Sequence, residues 1–271
     1  MRRFLRDRVA VFAAILATVI VLAALLAPWI APGDPSNNDL SLAMVPPGPG
    51  LPLGADDQGR DMVTRLLFGL RLTLVIGAVA VLLGGGLGAI LGLFAGFYRR
   101  LDGVIMRCMD VLLSFPAILF GLAIAAIFGP GVTAVVLALS VATVPLTARI
   151  VRASAAVEMG RDYMEAARAV GMTDRRLMWR HLAPNCASAL VVFATLRFGQ
   201  VILLGAALSF LGLGAQPPTA ELGSMASQGR TFLFFAPHIA VVPCVAIFVV
   251  VLVFNVLGDA LRDALDPRLS F

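Results

Sequence analysis

The chain alternates between long apolar runs and short polar connections. Crossing a hydrocarbon core of about 30 Å takes roughly 20 mostly apolar residues. Runs of this kind recur along the 271 residues and predict six membrane-spanning helices. The predicted spans are 9–30, 72–97, 104–128, 132–151, 187–213 and 237–257. We therefore expect an all-α, polytopic membrane protein.

Composition supports this expectation and excludes several kinds of chemistry. The chain is 60% hydrophobic and 14% charged, with a mean hydropathy of +0.95. All 21 basic residues are arginine, so neither a G-x-x-x-x-G-K-[ST] phosphate loop nor a Schiff-base lysine can form. Two histidines and three widely separated cysteines suggest no metal or redox motif. We predict a chain that is not an enzyme and binds no metal or cofactor itself.

The arginines also predict how the chain is oriented. Most of them fall in the connections on one side of the predicted spans. The other side holds Arg60, Arg65, Arg71 and Arg230. Because cytoplasmic loops carry the excess of basic residues, both termini and the polar block at 158–185 are predicted to be cytoplasmic.

The second predicted span carries four glycines spaced four residues apart, namely Gly84, Gly88, Gly92 and Gly96. This spacing places them near one helix face, where another helix can approach closely. Tight packing is the preferred interpretation, and sliding of helices along a smooth face is the alternative. Three prolines, Pro116, Pro145 and Pro243, interrupt other spans, which neighbouring helices can tolerate.

Arg197 lies about ten residues inside the fifth predicted span. An isolated charge in lipid is costly, so it should face protein or reach an interface. We favour snorkelling or an ion pair. The alternative places Arg197 on the translocation path, in contact with an anionic group of a cargo.

The polar block at 158–185, called the elbow below, favours two short helices. Gly171 suits the left-handed position after the first helix, Thr173 or Asp174 can cap the second, and Pro184 should end it. The apolar residues of the elbow suit a groove in a partner protein. They are Tyr163, Met164, Ala166, Ala167, Val170, Leu177, Met178 and Trp179. An amphipathic helix lying on lipid headgroups explains the elbow equally well.

Four segments together resemble a known family. E-A-A at 165–167, followed by Gly171 and H-L-A-P at 181–184, resembles the EAA loop of bacterial ABC-importer permeases. The family usually has leucine where this chain has Ala183. Three further segments are similar to those of dipeptide, oligopeptide and nickel importer permeases of the DppC/OppC type. They are LGADDQGRD at 53–61, ALSFLGLGAQPPT at 207–219 and FNVLGDALRDALDPRL at 254–269.

The resemblance implies an ABC type I importer permease fold with cytoplasmic coupling helices. Residues 1–71 would supply the first span and a periplasmic connection, and residues 72–271 the permease core. The implied ATPase-coupling residues are Tyr163, Glu165, Ala166, Ala167, Gly171, Asp174 and Pro184. Glu165 would anchor the elbow through an arginine of this chain or of a partner. Residues implied to contact a periplasmic partner are Gln58, Gly59, Arg60 and Asp61. Gly59 as a turn residue and Asp61 as a helix cap explain that segment structurally.

The resemblance also implies the partners and the location. They are a second permease subunit, two cytoplasmic ATPases that bind ATP and Mg²⁺, a periplasmic substrate-binding protein and membrane lipid, with no nucleic acid. The chain would lie in the bacterial inner membrane. Short peptides are the expected cargo, and nickel, glutathione or an opine-like solute are alternatives. A secondary carrier, an unfused exporter and an intramembrane enzyme are the other classes. The predicted spans contain no row of acidic residues, which disfavours a secondary carrier. They also lack paired catalytic groups, which disfavours an intramembrane enzyme.

Overall fold

The computed structural model describes residues 7–265, and these are predominantly helical. The main helices are α1 (Arg8–Ile30), α2 (Met62–Phe97), α3 (Arg99–Ser114), α4 (Ala117–Phe128), α5 (Val132–Met159), α6 (Asp162–Ala169), α7 (Asp174–Leu177), α8 (Ala183–Phe210), α9 (Leu222–Gly229) and α10 (His238–Leu265). Apart from two isolated β-bridges in the connection before α2, these residues contain no strand. The all-α prediction is confirmed. Residues 266–269 of the C-terminal motif lie outside the described part of the chain.

Five helices within residues 7–265 are long and apolar enough to cross a membrane: α1, α2, α5, α10, and α8 with the short segments before it. The third predicted span is wrong as a single helix, because α3 and α4 meet at an angle of 87°. Phe115, just before Pro116, is extended because the proline ring disfavours a helical residue before it. Counted as one broken span, the pair brings the total to six. Pro145 and Pro243 lie inside continuous helices.

α2 and α5 form the most extensive helix pair of the fold. The glycine face of α2 lies directly on the α5 backbone. A Cβ atom added to Gly88 would lie 2.5 Å from the carbonyl oxygen of Val144, and one added to Gly92 would lie 2.5 Å from that of Ala148. Only glycine permits so short a separation between the two helices.

The 31–61 connection packs over the starts of α2 and α10. This end of the protein lies opposite the 158–185 elbow, and we call it the far side. Arg65, in the first turn of α2, is only 1% exposed. Its Nη1 donates to the carbonyl oxygens of Pro35 (3.1 Å) and Pro218 (3.2 Å), and its Nε lies 3.1 Å from Asp56 Oδ2. One arginine therefore joins α2 to two far-side connections that are distant in sequence.

Candidate functional site: the elbow

The elbow begins with α6, which ends in a left-handed turn. Gly171 has φ +79°, and two hydrogen bonds close the helix end: Gly171 N to Arg168 O (2.9 Å) and Met172 N to Ala167 O (3.1 Å). This pair of bonds is the Schellman arrangement, in which glycine is favoured because it lacks a Cβ. The turn reverses the chain before α7.

The second half of the elbow differs from the prediction. Pro184 does not end a helix, because α7 continues through a π-helical turn at Met178–Leu182 into α8. In this turn Ala183 N donates to Met178 O, five residues back. A proline ring clashes with the carbonyl one turn before it in a regular helix, and the wider π turn gives it room. Thr173 takes the N-cap conformation without a side-chain capping bond.

Burial separates the apolar residues of the elbow into two groups. Met164, Ala167, Leu177 and Met178 are buried inside this chain, in a core shared with α2 and α5. The prediction that these four fill a partner's groove is therefore wrong, while the role of Ala167 in coupling to an ATPase stays a prediction. The second group is exposed to solvent and consists of Tyr163, Ala166, Val170 and Trp179, with Val170 82% exposed.

A hydrogen-bond network that the sequence analysis missed connects α5, α6 and α8. Glu158, in the last turn of α5, is 8% exposed. Its Oε2 accepts from the Tyr163 hydroxyl (2.9 Å), and Asn185 Nδ2 donates to that hydroxyl (3.1 Å). Partial desolvation and the hydrogen bond to Glu158 raise the pKa of Tyr163. The signal in the sequence was a lone carboxylate directly after an apolar run.

Glu165 is exposed and lines a cleft of about 1040 Å³ between the elbow and the ends of α2 and α5. Asp174 and several arginines line the same cleft. Within residues 7–265 Glu165 forms no ion pair, so the expected pair with an arginine of its own chain is not present. Arg152 pairs instead with Asp102, and Arg168 lies over the ring of Phe97, 5.6 Å from its centroid.

Part of the far-side segment that was predicted to contact a partner is buried by contacts within this chain. Arg60 is 4% exposed and its Nε lies 2.7 Å from Asp56 Oδ2. Gly59 has φ +72° and packs against the backbone of Asp39. For these two residues the predicted partner contact is wrong, because their own chain covers them. Asp61 caps α2 by accepting from Thr64 N (2.7 Å), as its structural interpretation expects. Gln58 is partly exposed, and its contact with a partner stays a prediction.

Arg197 lies within α8 and is partly buried. The neighbouring Leu196 packs against α10, since a Cβ added to Gly258 would lie 3.1 Å from Leu196 Cα. Arg197 Nη1 donates to Gln200 Oε1 (2.7 Å). A contact with cargo stays a prediction. No cluster of His, Cys, Asp or Glu that could hold a metal occurs within residues 7–265.

Sequence comparisons match almost the whole chain. A family model described as binding-protein-dependent transport system inner membrane component matches residues 84–271. A model of the N-terminal transmembrane domain of oligopeptide transport permease C matches residues 1–47. A putative peptide transport system permease protein of Brucella abortus is 45% identical, covering 99% of this chain and 91% of the relative. The glutathione transport system permease protein GsiD of Pectobacterium atrosepticum is 44% identical, covering 99% of this chain and 90% of the relative.

Solved structures with a similar fold are also membrane transporters. A chain of the inward-facing MetNI methionine ABC transporter superposes with a TM-score of 0.62 at 21% identity, covering 74% of this chain and 96% of that one. A chain of an amino acid ABC transporter gives 0.57 at 23% identity, covering 74% and 94%. At these identities the likeness shows the fold alone. The family model and the relatives together show that this chain belongs to the binding-protein-dependent transport system inner membrane components, the permease subunits of ABC importers.

Proposed function

We propose that this chain is one of two permease subunits of a short-peptide importer and that a separate ATPase docks on its elbow. The observation that carries the proposal is the exposed surface of α6. Tyr163 and Ala166 are exposed on α6 and Val170 directly after it, while the opposite face of the helix is packed into the chain's own core. An apolar surface exposed at the end of a membrane protein is suited to a protein partner.

Helix length favours a protein partner over lipid at the elbow. The continuous helix from Asp174 to Phe210 has 37 residues, which corresponds to about 55 Å. A bilayer with its headgroups is only about 40–45 Å thick. This helix is therefore longer than the bilayer is thick, and we infer that its polar start, together with the adjoining α6 and Val170, projects beyond the headgroups.

The proposed mechanism depends on contacts that differ between the inward-open and outward-open arrangements. The partner ATPases would bind ATP and Mg²⁺, and this chain contributes no phosphate-binding loop. Closure of the ATPases would move α6, and the attached α5 and α8 would shift between inward-open and outward-open arrangements. Glu165 and Asp174 would meet charges of the ATPase at the rim of the cleft. Gly171 would set the angle of α6.

The cargo and the location are inferred from the relatives and the arginine distribution. Relatives named for peptide and glutathione transport are nearly equally similar, at 45% and 44% identity. Short peptides are our first candidate, and glutathione, itself a tripeptide, is the second. A binding protein outside the membrane and a second permease would complete the importer. We place the elbow and both termini in the cytoplasm, residues 1–71 as first span and periplasmic connection, and 72–271 as core.

The test is co-purification of a tagged chain from its native membrane. We expect a second permease and an ATPase to co-purify with the wild type. Val170→Asp and Glu165→Arg should reduce the recovery of the ATPase while the second permease remains. Leu40→Asp is the matched control, because Leu40 is also apolar and 71% exposed but lies on the far side. Equal recovery of the ATPase with all three variants would exclude docking at the elbow.

A transport assay tests the cargo. Cells that lack other peptide and glutathione importers would express the complete gene set and receive labelled dipeptide or labelled glutathione. Uptake of dipeptide that depends on the binding protein would support the first candidate. Uptake of glutathione alone would replace it by the second.

A further inference from the structure

Tyr163 connects α5 and α8, the two long helices on either side of the elbow, through hydrogen bonds. Glu158 belongs to the last turn of α5, Tyr163 to the first turn of α6 and Asn185 to the first turn of α8. The Tyr163 hydroxyl donates to Glu158 and accepts from Asn185. Asn185 Nδ2 also donates to the carbonyl oxygen of His181 (2.7 Å), which lies in the π turn. The hydrogen bonds thus run from one spanning helix to the other through α6.

The hydrogen bonds and ion pairs of this network differ in strength. The Glu158 carboxylate is 8% exposed, and its bond from the Tyr163 hydroxyl is charge-assisted, although the tyrosine itself is 36% exposed. Arg161 also pairs with Glu158, with 2.9 Å between Nη2 and Oε1, but its side chain is 58% exposed. An exposed ion pair contributes little. Of the two side-chain partners of Glu158, Tyr163 is therefore the less exposed to water.

We propose that Glu158, Tyr163 and Asn185 form a latch that makes α6 move together with the adjoining ends of α5 and α8. The proposal rests on the proposed function, since it assumes that an ATPase displaces α6. With the latch closed, that displacement reaches α5 through Glu158 and α8 through Asn185. These residues position the coupling helix and take no part in ATP hydrolysis.

Apolar packing holds α6 in place independently of the latch. Met164 and Ala167 are buried against the core formed by α2 and α5. A variant that opens the latch should therefore still fold and assemble. Such a variant should pass less of the displacement of α6 on to α5 and α8, because α6 can then rotate on the short 170–173 connection.

The test uses the full importer, with both permeases and the ATPases, reconstituted in liposomes with its binding protein. In Glu158→Leu the acceptor for Tyr163 is removed. We expect assembly and basal ATP hydrolysis to remain and dipeptide imported per ATP to fall roughly tenfold, the scale of a lost charge-assisted bond. Glu158→Gln retains an oxygen acceptor and should keep most of the coupling. Asn185→Leu, which opens the other end of the latch, should also lower it.

Arg161→Gln is the matched control, because it breaks the exposed ion pair on the same carboxylate and leaves the latch intact. Its import per ATP should equal that of the wild type. The latch is overturned if Glu158→Leu and Glu158→Gln couple equally well, or if the loss in Glu158→Leu is matched by an equal loss of assembled complex. A wild-type chain that recruits no ATPase would instead overturn the proposed function.

Discussion

At Gly171 a single backbone angle determines which residues the elbow tolerates. Its φ is +79°, and nothing lies within 4 Å of an added Cβ. The cost of a side chain there is thus conformational rather than steric. An L-residue in this conformation loses about 1–2 kcal/mol, and β-branched residues lose the most.

We predict that Gly171→Val lowers ATP-driven uptake several-fold, while the chain still inserts in the membrane. Gly171→Asn is the control, because asparagine adopts the left-handed conformation more readily. Uptake of labelled dipeptide, normalised to the amount of chain in the membrane, measures the effect. Equal uptake by the two variants would show that the turn does not need its left-handed residue.

Residue identity alone could not separate the two apolar groups of the elbow. Met164 and Val170 are both apolar and lie six residues apart, yet one is buried and the other is 82% exposed. The difference arises because α6 rests on Phe97 and Val151, which are remote in sequence. The network at Glu158 was missed for the same reason, since Asn185 is 27 positions away along the chain.

At the scale of elements, the close packing of α2 could be predicted from its sequence, but the identity of its partner helix could not. The spacing of Gly84, Gly88, Gly92 and Gly96 indicated a smooth face, and the structure supplies the helix that lies on it. The break at Pro116 was only partly predictable. Proline indicated an interruption, but the 87° angle depends on how α4 packs against α5.

We predict that Gly88→Ala destabilises the chain by about 1–3 kcal/mol, the usual range for overpacking. The added methyl would meet the Val144 carbonyl at 2.5 Å. Gly86→Ala, on the same helix but with open space around it, should be neutral or slightly stabilising because alanine favours helix. Thermal unfolding of the chain in detergent measures both. A lower melting temperature for Gly86→Ala than for Gly88→Ala would contradict the close α2–α5 contact.

For the whole molecule, orientation is the property that the arginine distribution predicts most directly. Alkaline phosphatase, which is active only outside the cytoplasm, should be active when fused after Asn37 and inactive when fused after Gly160. A green fluorescent protein fusion after Gly160 should fluoresce. The reverse pattern would place the elbow outside the cytoplasm and exclude its contact with an ATPase.

The sequence by itself determined the class of protein, the five continuous spans, the turn at Gly171 and its membership of a permease family. These properties depend on hydrophobic run length, on local backbone preference and on motifs that are continuous in the chain. The tertiary structure decided which elbow residues remain exposed, that Arg60 is buried beside Asp56, and that Pro184 lies within a helix. Those outcomes depend on contacts between residues far apart in sequence, which no local pattern specifies.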